Sequence, residues 1–510
     1  MASIGLFSVE SMKLVLFSIV SYFLYVYLLK PTLNFVRMVI HYHGFHCYPK
    51  HWLFGHGKEV WPNFPFPIET KRLAMNLYEF FPKIIGPNQN LTVLWISMFP
   101  VVFASGHEAV EIVLNKKQLK KPHIYKFMGL RSGLLTSEPA IWKVRRKLIE
   151  PFFSTKKMKG YAKAIYEEVE SFSQHLEGEV GKPVDLVNQI HTSTLNIILK
   201  STASIPLDDL IEDKKILIEL VSAVEKNSVK RVSNPFYQFD WLFKFFKFSK
   251  IYYKTMEDAE EMIHKILNRR KQLLESSPPN GPEDQDFVHL LEDKVDREGL
   301  HDEMMTLIAA GHETTAVALR WLLFNLGNHL GVQEKLYQEI IEFFPDDTPV
   351  DDMDKINQCN YLDQCLKESL RLNPPVNGAG RVLEEDIMVK DKRLLKGSIV
   401  GVTCLACHHD PSVYPNPDEY DPDRWNSENV SKIPKASFIP FGYGPRICIG
   451  LRYAMIELKI YTIQIIRKFS IRSTRKHGNI PILYEITFQP ALPLEIIMTP
   501  RNENQQKLFH

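Results

Sequence analysis

The sequence predicts a mainly α-helical protein with a small β portion. Between Ser171 and Leu274, apolar residues recur at intervals of three and four with charged residues between them, which is the period of an α-helix. The segment Met304–Gly327 is apolar on nearly every face, as expected of a helix buried in a core. From Leu383 to Val402 the pattern changes to short β-like pieces separated by turns.

Length and composition limit the classes of function. The chain has 510 residues, 45% of them hydrophobic, which is enough to bury at least one large core. Its 62 Lys and Arg against 60 Asp and Glu leave a formal net charge of +2, so the strong basic excess typical of nucleic-acid-binding proteins is lacking. Six cysteines in so long a chain do not make a disulfide scaffold and indicate a reducing compartment.

The amino terminus carries a segment typical of a membrane anchor. Leu14–Leu29 contains no charged residue and is bracketed by Lys13 and Lys30, although it is slightly short for a span unless preceding apolar residues extend it. A cleaved signal peptide and a buried core helix are the alternatives. Bulky tyrosines near the end of the segment and the lack of a small-residue cleavage site argue against the signal peptide.

This interpretation divides the chain into an anchor over residues 1–30, a hinge over 31–60 and one large domain over 61–510. More basic residues follow the apolar segment than precede it, so the positive-inside rule places the large domain in the cytosol. The hinge contains the irregularly spaced histidines of HYHGFHCYPKHWLFGHG, which lack the spacing of a metal site. The breaker-rich stretch Ser276–Asp286 is interpreted as an exposed loop or a domain linker.

The predicted helix Met304–Gly327 contains residues that a packing helix would avoid. Gly311 costs about 1 kcal/mol relative to alanine in a helix interior, and a buried carboxylate such as Glu313 costs more unless it is paired. A functional interpretation is a local kink that opens a groove, where Glu313 and Thr314 hold water or deliver protons. The alternative is a bent helix whose polar residues face the surface.

The segment FIPFGYGPRICIGLRYAMIELK surrounds a single cysteine, Cys448, with small and basic residues and then continues as a helical pattern. These neighbours are Gly442, Gly444, Gly450 and Arg446. A cysteine that only filled core space would need no glycines, whereas glycines let a large rigid group approach the backbone. The pattern therefore indicates a binding loop around the cysteine.

Two predicted helices carry paired residues at one-turn spacing. Glu368 and Arg371 lie three residues apart on a helix that Pro374 ends, an arrangement that is commonly only a solvated salt bridge. In WKVRRKLIEPFF, Trp142 and Arg146 lie one turn apart on a helix that also has a basic face. Such a face is either solvated or binds an anionic group or an acidic partner.

Cys404-Leu-Ala-Cys407-His408 matches the C-x-x-C-H pattern of covalent haem attachment and half of a zinc site. The sequence has no second C-x-x-C to complete a zinc site. Covalent haem attachment of this kind needs a specialised compartment, whereas the predicted anchor indicates the cytosol. The surrounding GSIVGVTCLACHHDP is predicted as a strand followed by a turn.

Taken together and in order, these segments resemble the cytochrome P450 monooxygenases over essentially the whole chain. Phe441-x-x-Gly444-x-Arg446-x-Cys448-x-Gly450 resembles the family's haem-binding loop. Four further stretches resemble its oxygen-binding helix, its E-x-x-R helix, its meander and its early haem-edge helix: Ala310–Thr315, Glu368-x-x-Arg371, Tyr420-x-Pro422-x-Arg424-Trp425 and Trp142-x-x-x-Arg146. The predicted anchor suits the microsomal members, and the resemblance implies the P450 fold after one transmembrane helix.

The resemblance implies a role for each matched residue. Cys448 would be the axial thiolate ligand of the iron of haem b, with Phe441 shielding it and Gly444 and Gly450 letting the backbone approach the ring. The haem propionates would be neutralised by Arg446, Trp142, Arg146 and Arg381. Glu368, Arg371 and Arg424 would form a structural network that braces the loop, and Thr314 and Glu313 would act in catalysis.

The implied activity is insertion of one atom of O2 into a lipophilic substrate at the endoplasmic reticulum membrane. Electrons would come from NADPH through NADPH–cytochrome P450 reductase, docked on the basic face of Lys143, Arg145 and Lys147, with cytochrome b5 as an optional further partner. A reductase-independent isomerase or dehydratase and a non-enzymatic haem carrier or sensor are the alternatives. Thr314 and Glu313 favour the monooxygenase.

The resemblance leaves the substrate open between a fatty acid, a sterol and a xenobiotic. HWLFGHG resembles the entrance segment of the fatty-acid ω-hydroxylase clan, whereas FGYGPRICIGLRYAMIELK is closer to the sterol- and xenobiotic-oxidising clans. Many ω-hydroxylases carry a glutamate that esterifies a haem methyl group at the position of Ala310. Because alanine has no carboxylate, we expect the haem to be non-covalent except for the Cys448–iron bond.

Overall fold

The computed structural model describes residues 29–45, 47, 90–96, 99–115, 117–211, 214–276, 286–345, 348–476, 478 and 480–501, with the single residues 18, 21 and 25. Helices dominate these residues, as predicted. They are α1 (Lys30–Tyr42), α2 (His107–Val113), α3 (Pro139–Ile149), α4 (Thr155–Leu176), α5 (Val187–Ala203), α6 (Lys214–Ser233), α7 (Asp240–Phe243), α8 (Lys247–Ser276), α9 (Phe287–Leu291), α10 (Arg297–Asn328), α11 (Leu330–Phe343), α12 (Met353–Gln358), α13 (Asn360–Leu372), α14 (Cys404–His408), α15 (Ser427–Val430) and α16 (Leu451–Lys468).

The strands form one four-stranded sheet and three two-stranded sheets among the described residues. They are β1 (Leu91–Ile96), β2 (Phe99–Ala104), β3 (Gly378–Val382), β4 (Ile387–Val389), β5 (Lys392–Leu394), β6 (Ile399–Thr403), β7 (Phe469–Ser473), β8 (Ile482–Tyr484), β9 (Phe488–Pro490) and β10 (Ile496–Pro500). The larger sheet has the order β1-β2-β6-β3, in which β2 and β6 are parallel and the other pairs antiparallel. The small sheets pair β4 with β5, β7 with β10 and β8 with β9.

The long helix α10 runs through the helical core. Its first turn is capped by Asp296, whose side chain accepts a hydrogen bond from the Gly299 backbone N–H. Residues 299–308 and 315–327 are all buried, because α5, α13 and α16 pack around the helix. Gly311 lets α5 come close, since a Cβ at this position would lie 2.8 Å from Cδ1 of Ile198.

A second hydrophobic core packs against the larger sheet. Tyr42, at the end of α1, is fully buried there, and its hydroxyl lies 2.8 Å from Oγ of Ser398. The Leu395 backbone N–H also donates to this hydroxyl, at 2.9 Å. The first part of the segment predicted as a hinge is therefore a helix docked on the sheet.

The described residues include no helix with the length and apolar character that a membrane span requires. The predicted anchor Leu14–Leu29 lies outside the described residues except at positions 18, 21, 25 and 29. The entrance segment His51–Gly57 and residues 277–285 of the breaker-rich stretch also lie outside them.

The prediction of β structure was incomplete and in one place wrong. The sequence analysis placed β structure only between Leu383 and Val402, whereas β1, β2 and the strands after α16 lie elsewhere. Strand β6 was predicted correctly, but the predicted turn after it is the short helix α14. The Thr403 side chain accepts a hydrogen bond from the Ala406 N–H, which caps this helix and makes it form.

Candidate active site

The cysteine loop folds back on itself immediately before α16. The Cys448 N–H donates to the Phe441 carbonyl oxygen at 2.9 Å. Gly442 and Gly444 have positive φ angles of 77° and 73°, which side chains other than glycine rarely adopt. At Gly444 a Cβ would also lie only 2.0 Å from the carbonyl oxygen of Leu114, so the loop requires glycine there for two reasons.

Gly450 has a different environment. A Cβ at this position would meet only Phe153 and the Cys448 sulfur, at ordinary contact distances of 3.8 and 3.9 Å. The protein atoms themselves therefore do not require glycine here. The space beside the Cys448 sulfur is open to a flat ligand that a methyl group would obstruct.

The Cys448 side chain is exposed, yet burial is the main influence on its thiol and raises its pKa. A side chain that is both surrounded by protein and accessible borders an internal space. The backbone N–H groups of Gly450 and Leu451, at the amino end of α16, hydrogen-bond to the sulfur, and together with the charge of Arg146 they offset part of this increase in pKa. These contacts favour a thiolate, which is the form that binds a metal.

Three basic side chains gather beside the loop without a direct ion pair among the described residues, and the charges of Glu138 and Glu384 act on Arg446 only from more than 4.0 Å away. Lys121, Arg381 and Arg446 repel one another, and burial together with this repulsion holds the pKa of Lys121 well below its usual value. Burial, followed by the charge of Arg381, lowers the pKa of Arg446 to about 10. Within the described part of the chain no carboxylate lies within 4.0 Å of any of the three.

Buried polar atoms in this cluster also lack partners. The Nε atoms of Arg381 and Arg446 are buried without a hydrogen bond. Arg446 donates from its other nitrogens to the carbonyl oxygens of Ser137 and Leu134, at 2.8 and 3.4 Å, and its guanidinium lies over the Trp142 ring at 4.6 Å. Unpaired buried donors in a positive cluster indicate a site for an anionic ligand.

This arrangement fits an iron porphyrin. The thiol can ligate iron, the open position at Gly450 admits a flat ring, and the cluster suits two carboxylates. Of the residues predicted for the propionates, Arg381, Arg446 and Trp142 lie in or against this cluster. Arg146 instead donates to the Ile447 carbonyl oxygen at 2.7 Å, so it contacts the cysteine loop itself. Lys121 was missed, because no motif distinguishes it in sequence.

The predicted structural network is assembled around Glu368. Arg371 donates to both carboxylate oxygens of Glu368, at 2.8 and 2.9 Å, and both side chains are fully buried. Arg424 donates to the same carboxylate at 3.2 Å, and the Trp425 indole N–H donates at 2.9 Å. The structure thus brings the three predicted residues together and adds Trp425, which was noted in sequence but given no role.

His408 joins this network to the cysteine loop. Its ring nitrogen Nδ1 lies 3.0 Å from the Arg371 carbonyl oxygen, and its Nε2 accepts a hydrogen bond from the Ile439 N–H at 2.9 Å. In return Arg371 donates to the His408 carbonyl oxygen at 2.8 Å. Burial lowers the pKa of His408 to about 3, so the ring is neutral with its proton on Nδ1.

The three side chains of the C-x-x-C-H motif therefore make contacts within the protein. Cys404 and Cys407 are buried, and their thiols lie 3.4 and 3.1 Å from the carbonyl oxygens of Ile439 and Ser105. Burial raises the pKa of Cys407 to about 12. His408 uses both ring nitrogens within the protein. The contacts of all three side chains are therefore structural ones.

Glu313 and Thr314 lie where α10 is least tightly covered. Thr314 is half-buried, and its hydroxyl donates to the Ala310 carbonyl oxygen at 2.6 Å. Its oxygen remains available as an acceptor. Burial raises the pKa of Glu313 to about 8, so this carboxyl group carries a proton at neutral pH. Its neighbour His191, on α5, was not singled out by the sequence analysis.

The predicted basic docking face on α3 is smaller than expected. Lys143 and Lys147 are exposed, but Arg145 is 14% exposed and donates to the buried carboxylate of Glu303 at 2.9 Å. Arg145 also contacts the carbonyl oxygen of Ser132 at 3.2 Å. Its charge is thus neutralised inside the protein, so including it in a docking face was wrong.

The chain is similar along most of its length to proteins of one family. The family model described as Cytochrome P450 matches residues 50–497. Leukotriene-B4 omega-hydroxylase 3 of Mus musculus is 30% identical over 462 residues, which cover 84% of this chain and 85% of that protein. Cytochrome P450 4c21 of Blattella germanica is 28% identical over 430 residues, covering 80% of this chain and 86% of the relative. Cytochrome P450 4V2 of Homo sapiens is 27% identical over 454 residues, covering 84% and 86%.

The network predicts a difference between two adjacent histidines. His408→Ala should lower the free energy of unfolding by about 3 kcal/mol, because it leaves a buried N–H and a buried carbonyl unpaired and opens a cavity. His409→Ala is the matched control, since His409 is 29% exposed and contacts the exposed Asp418. This control should cost about 0.5 kcal/mol or less. Urea unfolding of both variants measures the difference, and equal losses would show that His408 does not tie the loop to the network.

Proposed function

The chain belongs to the cytochrome P450 family as one of its monooxygenases, and from this premise we propose that it hydroxylates a long-chain lipid of the fatty-acid type. The carrying observation is the unpaired cluster of Lys121, Arg381 and Arg446 beside the accessible Cys448 thiol, which suits a haem. The fatty-acid type is supported by the relative named leukotriene-B4 omega-hydroxylase. Of the two substrate resemblances in the sequence, the fatty-acid one agrees with this relative.

The haem would be held by residues from several elements. Cys448 would ligate the iron, with Phe441 beside it and Gly450 admitting the ring. Lys121, Arg381 and Arg446 would neutralise the propionates, with Trp142 against Arg446. Bound haem supplies the iron centre at which O2 is reduced and cleaved. Glu368, Arg371 and Arg424 would act structurally, through His408, on the position of the loop.

Two residues of α10 would deliver the protons that cleavage of O2 requires. Glu313 would donate, because its raised pKa keeps the carboxyl group protonated at neutral pH. Thr314 would hold a water that donates to its hydroxyl oxygen, because the hydroxyl hydrogen is donated to the Ala310 carbonyl oxygen. A haem carrier or an isomerase would need neither group, so a protonated Glu313 next to the partly exposed Thr314 supports the monooxygenase.

Electrons would come from NADPH through a reductase that carries an acidic docking surface. Lys143 and Lys147, exposed on α3, lie on the helix whose Arg146 contacts the cysteine loop. A partner docked there would approach the sulfur side of the haem. Cytochrome b5 would be an optional second donor at the same surface.

We place the protein at the endoplasmic reticulum membrane with its large domain in the cytosol. Helix α1 exposes Leu33, Val36 and Ile40, which share one helix face and are 44% to 70% exposed. A second apolar surface spans residues 236–245, where Trp241 and Phe245 are 68% and 82% exposed. Exposed apolar groups of this size are typical of membrane contact. Recovery of the chain in the soluble fraction of cells would contradict this placement.

The first prediction of this proposal concerns the iron ligand. Cys448→Ser should abolish the carbon monoxide difference spectrum typical of thiolate-ligated haem, because a serine hydroxyl remains protonated at neutral pH. Cys404→Ser and Cys407→Ser should keep that spectrum, because both thiols contact only backbone carbonyls. Loss of the spectrum in the Cys407 variant, with a normal spectrum for Cys448→Ser, would reverse the assignment.

The second prediction concerns how the haem is attached. Acidified organic solvent should extract it completely after turnover, because Ala310 has no carboxylate to form an ester. Mass spectrometry of the denatured chain should give the mass of the apoprotein. A haem-bearing peptide around residue 310 would contradict a non-covalent cofactor.

The third prediction concerns the activity. Purified enzyme with reductase and NADPH should hydroxylate dodecanoic or arachidonic acid in a panel that also contains sterols and drug-like compounds. Oxidation of sterols alone would exclude the proposed substrate class.

The fourth prediction concerns the docking surface. Lys143→Glu with Lys147→Glu should slow the NADPH-driven reaction about tenfold, because like charges would then face the reductase. Peroxide-supported turnover bypasses the reductase and should be unchanged.

A further inference from the structure

His191 of α5 lies against Glu313 in the middle of α10. Its Nδ1 atom is 3.4 Å from Oε2 of Glu313 and 3.0 Å from Nε2 of His312. The Nδ1 atom of His312 is 3.8 Å from the same oxygen and is buried without a hydrogen bond. Two imidazole rings therefore face one oxygen of the carboxyl group.

The other oxygen of Glu313 faces a group that cannot supply protons. The side-chain N–H2 of Gln489 donates to Oε1 of Glu313 and, at 3.1 Å, to Oγ1 of Thr487. Arg320 donates to the amide oxygen of Gln489 at 3.3 Å, which sets the orientation of the amide. Because an amide N–H is not acidic, proton exchange with a side chain must occur at Oε2, on the histidine side.

We propose that His191 returns a proton to Glu313 after each proton that Glu313 gives to oxygen; this rests on the proposed catalytic role of Glu313 and Thr314. In this step the Nδ1–H of His191 turns from Nε2 of His312, 3.0 Å away, to Oε2 of Glu313, 3.4 Å away; the N–H bond then breaks and an O–H bond forms at Oε2. A hydronium ion from solvent protonates Nε2 of His191 and remains as water, so the ring is neutral again once its Nδ1 proton has passed to the carboxylate. A change of tautomer then returns the proton from Nε2 to Nδ1 for the next turnover. The proton that Glu313 gives to oxygen is thus replaced by one proton from solvent, and charge balances.

Exposure distinguishes the two histidines. His191 is 7% exposed, whereas His312 is 0% exposed. His312 therefore has no surface at which water can exchange, although it can hold the ring of His191 through the 3.0 Å contact. We assign proton transfer to His191 and a positioning role to His312.

The charged groups around Glu313 favour transfer in this direction. They come from four elements: His191 on α5, Glu225 on α6, His312 and Arg320 on α10, and Glu485 between β8 and β9. Burial lowers the pKa of His191 to about 4, and burial with Glu225 raises the pKa of Glu313 to about 8. A protonated His191 is thus the stronger acid and gives its proton to an ionised Glu313. Glu313 holds its proton below about pH 8 and loses it above.

His191, His312 and Glu313 also have the side-chain types of a metal site, with ligand atoms within 4.8 Å of one another. A cation bound there would have to break the 3.0 Å contact between the two rings. A protonated carboxyl group would also have to lose its proton to bind a cation. The cluster is therefore better explained by proton exchange.

The test compares two buried histidines in the full-length holoenzyme. His191→Asn keeps an N–H near the position of Nδ1 but has no exchangeable acidic proton, so it should remove the transfer and keep the packing. His301→Asn is the matched control, because His301 is also buried on α10, lies against the His264 ring and is 3.3 Å from the Glu260 carbonyl oxygen, away from Glu313. Glu313→Gln identifies the infrared band of the protonated Glu313 carboxyl group by subtraction.

The first readout needs no turnover. After mixing with D2O, the Glu313 band should shift about tenfold more slowly in His191→Asn than in the wild type or in His301→Asn. The second readout is product formed per NADPH consumed, with reductase and dodecanoic acid. His191→Asn should lower it about tenfold and raise peroxide release, whereas peroxide-supported turnover, which brings its own protons, should persist.

An unchanged exchange rate and an unchanged product yield in His191→Asn would overturn the proposal and show that water reaches Glu313 directly. Slowed exchange without any product from dodecanoic acid, even in the wild type, would support the relay and reject the proposed substrate. If His191→Asn loses its haem, His191→Gln undergoes the same two measurements. Normal exchange in that variant would likewise overturn the proposal.

Discussion

A fully buried ion pair between Glu368 and Arg371 is the constraint on which the candidate site depends. Burying two charges away from water is costly unless the other hydrogen-bond donors and acceptors of the pair also have partners. Arg371 therefore donates to the carbonyl oxygens of His408, Pro417 and Glu419 as well as to Glu368. The pair thus fixes a stretch of chain that has little regular structure. Through His408 it also sets the position of Ile439, close to the start of the cysteine loop.

The basic cluster beside the loop, in contrast, contains hydrogen-bond donors that have no partner. Arg381 is buried, Lys121 and Arg446 are partly buried beside it, and the Nε atoms of both arginines lack hydrogen bonds. A saturated buried charge holds a fold together, whereas an unsaturated cluster of like charges requires a ligand. The two kinds of arginine lie on adjacent segments, Arg371 at the end of α13 and Arg381 on β3. The contrast predicts which arginines are structural and which bind a ligand, without reference to any relative.

Helix α10 has tightly packed residues as well as a partly exposed section. Its two ends are buried by α5, α13 and α16, while residues 309–311 and 314 keep partial exposure. Glu313 is held between an amide that can only donate and a histidine that can exchange protons. The same helix thus carries the core and positions an acid whose protonation depends on the elements packed around it.

Local pattern accounts for what could be predicted from sequence. Helical periodicity indicated the helices, glycines around Cys448 indicated a loop that binds a ligand, and ordered motifs indicated the family. These features depend on residues close together in the chain. The spacing of Glu368 and Arg371 alone could not distinguish a solvated pair from a buried one, because burial is decided by distant segments.

The sequence by itself determined the helical class, the cysteine that can ligate iron and the acid–threonine pair of α10. The tertiary structure alone decided which charges are paired. Arg145 is neutralised by Glu303, about 160 residues away, Lys121 joins Arg381 and Arg446, and His191 meets Glu313 across two helices. A side chain's charge is encoded at its own position, but its pKa and its partner depend on contacts between residues far apart in the chain.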